Sequence, residues 1–313
     1  MEEMIRYIET ISFQQLHSTM KIHIKEIFLL LKKQKGVEIM NQASDNYKPV
    51  PLEARENKDT ILSHITDKNI QMVEVWFTDM PGKLQHYALT AQEFKRKVEK
   101  AKEYVGEFDG SSIRGFQPIE ESDMTVTLDL KTAFSVPYTA HPTISFLCDV
   151  KDPFTGNYSR DPRYVARKAE KFLEATGIAD TASFGPEAEF FILDGIRYNG
   201  DPEAFEPPYF FEVQSAEAIW NCKEWHHAHL IRQKEGYFPV PPNDQLQDIR
   251  AEMMLLLELA GIRTEKGHHE VATAGQAELN FYFDSLVNTA DNLQRYKFLT
   301  KEVAFHNNKL VTF

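Results

Sequence analysis

Cysteine is nearly absent from this chain. Two cysteines among 313 residues, Cys148 and Cys222, cannot build a disulfide framework, and there is no Cys-x-x-Cys pair to suggest zinc. A reducing, cytoplasmic setting fits this usage. Long hydrophobic runs are also missing. The longest apolar patch, residues 27–31, lies in a Lys-rich segment, far short of the roughly 18–20 residues of a membrane span. No signal-peptide core or small-residue cleavage site is seen near residue 1. Basic residues are outnumbered, 35 against 47, and the net charge of −12 argues against a general nucleic-acid binder. Gly-x-x-x-x-Gly-Lys-Ser/Thr and Gly-x-Gly-x-x-Gly loops are absent, so any ATP must be held by metal ions and arginines. What remains is a globular composition, 42% apolar and 26% charged, long enough for one large domain or two ordinary ones.

Residues 1–39 carry helical periodicity, and Met40 reads as an alternative start. Residues 41–56 are polar, contain two prolines and read as a linker, so 1–56 is expected to be an extension and linker. From Thr60 the pattern predicts a short helix around Ile61 and Ile65. A strand at 72–77 follows, then a turn at Asp79–Gly82, a returning strand at 84–89 and a helix over 91–105. Further strands are expected at 124–130 and 144–150. Strands mixed with helices, without βαβ alternation, predict a small α+β domain over 57–155. A second domain, 156–313, follows a polar joint at 151–160. In it, Pro162 starts a helix that Gly177 ends. Then come a strand at 183–193, an irregular stretch to Glu235, a helix over 244–260, strands at 265–271 and 277–283, and a last helix at 288–307.

The chemistry lies in the acids. If 183–193 is one strand, Glu187 and Glu189 share a face, and two neighbouring carboxylates repel unless a cation sits between them. A solvated strand face is the alternative. Glu265, Glu270 and Glu278 form a second cluster, and Glu278 and Asn280 share a face of their strand. Oxygen-rich sites without cysteine suit Mg²⁺ or Mn²⁺ and phosphate chemistry. His268 and His269 lack the His-Glu-x-x-His spacing, and a hydrogen-bonded structural role is expected for them. The loop 106–112 holds Asp109, Ser111 and Ser112, a set that also suits a simple turn or helix cap.

Seven segments resemble one family. FTDMPGKLQH (77–86), EFDGSSIRGF (107–116), ESDM (121–124), FGPEAEFF (184–191), KEGYFPVPPND (234–244), QDIRAEM (247–253) and HHEVATAGQAELNF (268–281) are similar, in order and spacing, to type I glutamine synthetase. The resemblance covers about Asn57 to Phe313. It implies a β-grasp domain followed by a catalytic domain with a curved antiparallel sheet. It also implies ATP-dependent joining of glutamate and ammonium, through transfer of a phosphoryl group to the glutamate side chain. By resemblance, Glu189, Glu270 and Glu278 hold one Mg²⁺ or Mn²⁺, and Glu187 helps hold a second. Glu265 is the ATP-site acid, and Phe283 falls near the adenine. Asp109 attracts ammonium and helps remove its proton, with Ser112 and Tyr237 beside it. The family assembles as a dodecamer of two stacked rings, each site completed by a neighbour's Asp109 loop.

The resemblance also implies a longer chain. A Met-Pro-Lys-Pro turn and an Asn-Gly-Ser-Gly-Met-His segment should follow a strand like the one at 309–313, and neither occurs in the sequence. The remaining ligands of the second metal, the substrate-binding arginines and a flap glutamate are missing with them. A C-terminally truncated enzyme, with little activity alone, is the expectation. Two other readings stay open: a non-catalytic fragment that assembles with a full-length synthetase, and a ligase joining glutamate to an amine. Smaller departures are Cys222-Lys223 and Phe116.

Overall fold

Asn57 opens the first helix, α1 (Lys58–Asp67), with a reciprocal cap. Its side chain accepts the N–H groups of Asp59 and Thr60, both at 3.0 Å, and Thr60 Oγ1 accepts the Asn57 N–H at 3.1 Å. This computed structural model describes residues 47–100, 105–199, 210–221 and 229–313. The helical periodicity of 1–39, the Met40 start, the front of the linker and Cys222 lie outside the described residues.

Beyond α1, strands β1 (Met72–Thr78) and β2 (Leu84–Thr90) form the expected hairpin. Its turn is held by Asp79 Oδ1, which accepts the Lys83 N–H at 2.7 Å, while Gly82 takes φ of 87°. Helix α2 (Ala91–Lys100) does not extend to residue 105 as periodicity implies, because residue 105 begins β3 (Val105–Asp109). Then come β4 (Asp123–Leu128), β5 (Phe134–Ser135) and β6 (Thr143–Lys151). The sheet order is β2-β1-β6-β4-β3, with β5 also on β6. β1 and β6 run parallel and the other pairs antiparallel, so this sheet is mixed.

The central strands are buried on both faces. Val73, Val75, Phe77, Ile144, Phe146 and Val150 point into one core with α1 and α2. Trp76 and Leu147, of opposite parity, point into a second core with the C-terminal elements. Residues 47–56, part of the stretch read as linker, pack against the first core. Val50 and Ala54 are buried there, and the Arg55 guanidinium donates to the Val50 carbonyl.

The C-terminal elements begin with α3 (Pro162–Thr176), capped by Asp161 and ended by Gly177 at φ 68°. The strand expected at 183–193 is broken. β7 (Ser183–Phe184) and β8 (Glu189–Leu193) are separated by the irregular residues 185–188, so Glu187 precedes β8 and the shared-face argument fails there. The stretch read as irregular contains a hairpin, β9 (Gly195–Asn199) with β10 (Phe210–Gln214). Helix α4 (Gln247–Leu259), β11 (Thr264–His269), β12 (Gln276–Phe281), β13 (Asp284–Ser285), α5 (Leu286–His306) and β14 (Leu310–Thr312) complete the order. β11-β12-β8-β14 is antiparallel throughout, and β13 pairs with β7. Apolar side chains of α4 and α5, among them Met253, Leu257, Leu299 and Val303, cover the sheet. In this layer Glu189 opens β8, Glu278 lies on β12 and Glu270 directly follows β11.

Candidate active site

Register brings the acids together. Glu278 of β12 lies opposite Glu189 of β8 on one side and His268 of β11 on the other. Directly opposed residues share a face, so the three side chains converge. His268 sits between two carboxylates, its Nδ1 3.4 Å from Glu270 Oε1 and its Nε2 3.5 Å from Glu278 Oε2. One potential ligand atom from each of these three residues falls within a 4.8 Å group, and all three residues are buried. Asn280 Nδ2 donates to Glu278 Oε1 at 2.6 Å, and Gln276 Nε2 donates to Glu189 Oε2 at 2.6 Å.

Electrostatics mark the same place. Burial pushes the Glu278 carboxyl above its ordinary range. Glu187 and Glu270 push it further, while the Asn280 hydrogen bond and His268 pull it back. Glu187 thus acts on the cluster despite lying outside the strand. Asn280 Oδ1 is buried with no hydrogen-bond partner, an orphan acceptor beside Glu278. Crowded carboxylates, one imidazole and an unpartnered amide oxygen fit a hard divalent cation. His268 therefore faces the acids as a possible ligand, beyond the structural role expected for it. Its neighbour His269 does take a buried hydrogen-bonded position, 3.1 Å from Glu217. Burial works against charge on His269, and Glu217 outweighs it, so the imidazole is held above its ordinary range.

Of the other candidate residues, Tyr237 has a contact with this centre. Tyr237 stacks on Phe238 at 4.0 Å between ring centroids, and its edge meets the His268 ring at 5.6 Å, which joins it to the cluster. Glu265 sits at a bulge between Thr264 and Lys266 and is exposed. Phe283 follows β12 and is 66% exposed, an apolar ring free to meet a ligand. Asp109 and Ser112 are exposed at the end of β3. Asp109 accepts from Ser111 N, Ser111 Oγ and Ser112 Oγ at 2.8, 2.6 and 3.1 Å. These bonds, led by the Ser111 hydroxyl, hold its carboxyl below the usual range. Among the described residues, no hydrogen bond or ion pair joins Asp109 or Ser112 to the glutamates.

Glu217 was not foreseeable from spacing. It lies in a stretch without periodicity, and a lone acid there carries no signal of burial. Gln276 is hidden in the same way, since its role depends on the β12–β8 register.

Comparison with known proteins agrees with this arrangement. Residues 69–153 match the glutamine synthetase beta-Grasp domain, and residues 159–313 match the glutamine synthetase catalytic domain. Glutamine synthetase of Streptomyces coelicolor is 46% identical over 261 residues, 82% of this chain and 54% of that protein. That of Frankia alni is 45% identical over 260 residues, 82% and 53%. The chain spans about half the length of the relatives it matches. A cryo-EM structure of Plasmodium falciparum glutamine synthetase superposes with a TM-score of 0.73 at 25% identity, covering 82% of this chain and 50% of that one. Both domain matches occur in order along one polypeptide, and the acids that converge in space lie inside the second, so this chain belongs to the glutamine synthetase family.

Proposed function

We propose that this chain carries the metal- and ATP-binding half of a glutamate–ammonia ligase site. One observation carries the reading: Glu270, Glu278 and His268 converge beside Glu189, with Glu187 acting on the same centre. In this reading Glu189, Glu270 and Glu278 hold one Mg²⁺ or Mn²⁺, and Glu187 helps hold a second. The ions, when bound, neutralise phosphate charge, so that a carboxylate can approach ATP. Glu265 and Phe283 face the nucleotide, the exposed ring supplying a stacking surface for adenine. The glutamate side chain takes the terminal phosphoryl group of ATP, and ammonia then displaces phosphate to give glutamine.

Asp109 is the ammonium residue of this scheme. The Ser111 and Ser112 bonds that hold its carboxyl below the usual range favour the anion, as attraction of a cation requires. Ser112 and Tyr237 border the same pocket. Among the described residues the exposed Asp109 carboxylate accepts only from Ser111 and Ser112, and in this reading it serves the site of a neighbouring subunit. The partners are therefore glutamate, ammonium and ATP, plus other family subunits, either copies of this chain in stacked rings or a longer synthetase. A cytoplasmic location goes with this metabolism and with the free, buried thiol of Cys148. Among the described residues, no helix is long and apolar enough to cross a membrane.

The test separates the two halves of the site. Mn²⁺ binding is measured by equilibrium dialysis on the chain, and ammonium-dependent phosphate release on the chain mixed with a full-length relative whose own Asp109 equivalent is removed. Mn²⁺ binding is expected in the wild-type chain and in Asp109→Asn, and phosphate release only with the wild-type loop. A chain that binds no Mn²⁺, or release that survives Asp109→Asn, defeats the proposal.

A further inference from the structure

Glu217 is a buried acid with no part in the chemistry above. We infer that Glu217 is a positioning residue that, through His269, fixes both the strand end presenting His268 and Glu270 and the loop presenting Tyr237. The inference rests on the metal reading of the site.

Its geometry is dense for one side chain. The Glu217 and His269 side chains are both 0% exposed, with Nε2 3.1 Å from Oε2. The same Oε2 accepts the Gly275 N–H at 3.0 Å, and Oε1 accepts the Gln245 N–H at 2.7 Å. His269 Nδ1 lies 2.7 Å from the Gly236 carbonyl and 2.8 Å from the Glu270 carbonyl. Carbonyls only accept, so Nδ1 is the donor there. The Glu217 carboxylate thus has three polar partners, the Gln245 and Gly275 N–H groups and His269 Nε2.

One carboxylate thus ties together the 215–218 segment, the residues leading into α4 through Gln245, the β11–β12 turn through Gly275, and the 234–238 loop through His269. Side chains alternate along β11. His268 faces the acids, and His269, turned to the opposite side, anchors the strand from behind. The loop comes close because Gly236 has no side chain. A Cβ there would stand 2.4 Å from the Glu270 carbonyl oxygen and 2.8 Å from the His269 ring. Tyr237 is the next residue, so the dyad that seats Gly236 also sets where Tyr237 meets His268. Groups behind metal ligands act in this way, orienting them without touching the ion.

The experiment uses the full chain and Mn²⁺ alone, read by electron paramagnetic resonance, together with hydrogen exchange at the Gln245 and Gly275 amides. Glu217→Ala is expected to weaken Mn²⁺ binding by roughly 10–100-fold, the usual range for such supporting groups. It should also speed exchange at both amides. Glu217→Gln keeps the shape and one acceptor oxygen, and is expected to fold and fall between the two. Glu278→Ala should abolish the bound Mn²⁺ signal while leaving exchange at Gln245 slow, which separates ligand from support. Folded Glu217→Ala or Glu217→Gln chain with wild-type Mn²⁺ affinity and spectrum overturns the inference. A wild-type chain that binds no Mn²⁺ instead overturns the metal reading and this inference with it. That outcome is told apart because it precedes any substitution.

Discussion

Glu278 stores the tension of the site in one side chain. It is buried, faces His268 and Asn280, and feels Glu187 and Glu270, so its carboxyl is held above the ordinary range. A raised acid contributes stability that is present below its unfolded pKa and lost as pH rises through the folded value. Without metal, the charged form of the group therefore costs stability. Glu278→Gln removes the charge and keeps an oxygen for Asn280 Nδ2. The metal-free variant is expected to melt at or above the wild-type temperature at pH 8, with the difference vanishing near pH 4, about where a free glutamate protonates. Mn²⁺ should raise the wild-type melting temperature and leave that of the variant unchanged, as follows when only one folded state binds the ion. Thermal melts with and without Mn²⁺ at the two pH values check both signs. A variant that melts lower at pH 8 without metal contradicts the account of Glu278.

At the level of elements, legibility followed local chemistry. The α1 cap at Asn57–Thr60, the β1–β2 turn and the Pro162–Gly177 limits of α3 are each decided within a few residues, and each is visible as a pattern. The acids Glu270 and Glu278 were legible for the same reason, being close together in sequence across the β11–β12 turn. The break between β7 and β8 was not, because a proline and a glycine beside Glu187 can sit in a strand edge or an irregular step. The β9–β10 hairpin was missed because its strands are exposed and carry no clear alternation. Glu217 was missed because its burial depends on segments distant in sequence.

Asp161 shows how much an element end can hold. It caps α3 through the Arg163 and Tyr164 N–H groups and also accepts the Val150 N–H at 3.1 Å, yet burial pushes its carboxyl from 3.8 up to about 6. The folded pKa is raised, so this contribution is full below the unfolded value and is lost as pH rises through about 6. Asp161→Ser keeps a neutral cap. The stability of wild type relative to this variant is expected to fall by up to about 3 kcal/mol between pH 4 and pH 7. Urea unfolding across that range measures it, and a pH-independent difference refutes it.

For the whole molecule, the β-grasp sheet and the C-terminal elements are joined by both an apolar layer and an ionic clamp. Trp76 and Leu147 of the first sheet enter the core built by α4 and α5. Beside this layer Arg163 of α3 meets Asp291 of α5 at 2.9 and 2.7 Å, Asp149 of β6 at 2.5 Å and Asp129 at 2.9 Å, and Arg167 reaches the last two. Asp129 and Asp149 keep Arg167 as a second cation, but of these two arginines only Arg163 pairs with the buried Asp291. Arg163→Met leaves Asp291 buried without its cation and is expected to cost about 3–5 kcal/mol. Arg163→Lys should recover little of that, since one ammonium cannot reproduce the forked contacts to three carboxylates. The clamp spans both parts of the fold, so the loss should not stay local. Urea unfolding of the wild type, followed by tryptophan fluorescence and by far-ultraviolet circular dichroism, is expected to give one coincident transition for residues 46–313, because the shared core prevents either part from unfolding alone. In Arg163→Met both signals should move together to lower urea. Two separated transitions in the variant would mean that the apolar layer alone couples the parts too weakly, and that the arginine supplies the cooperativity.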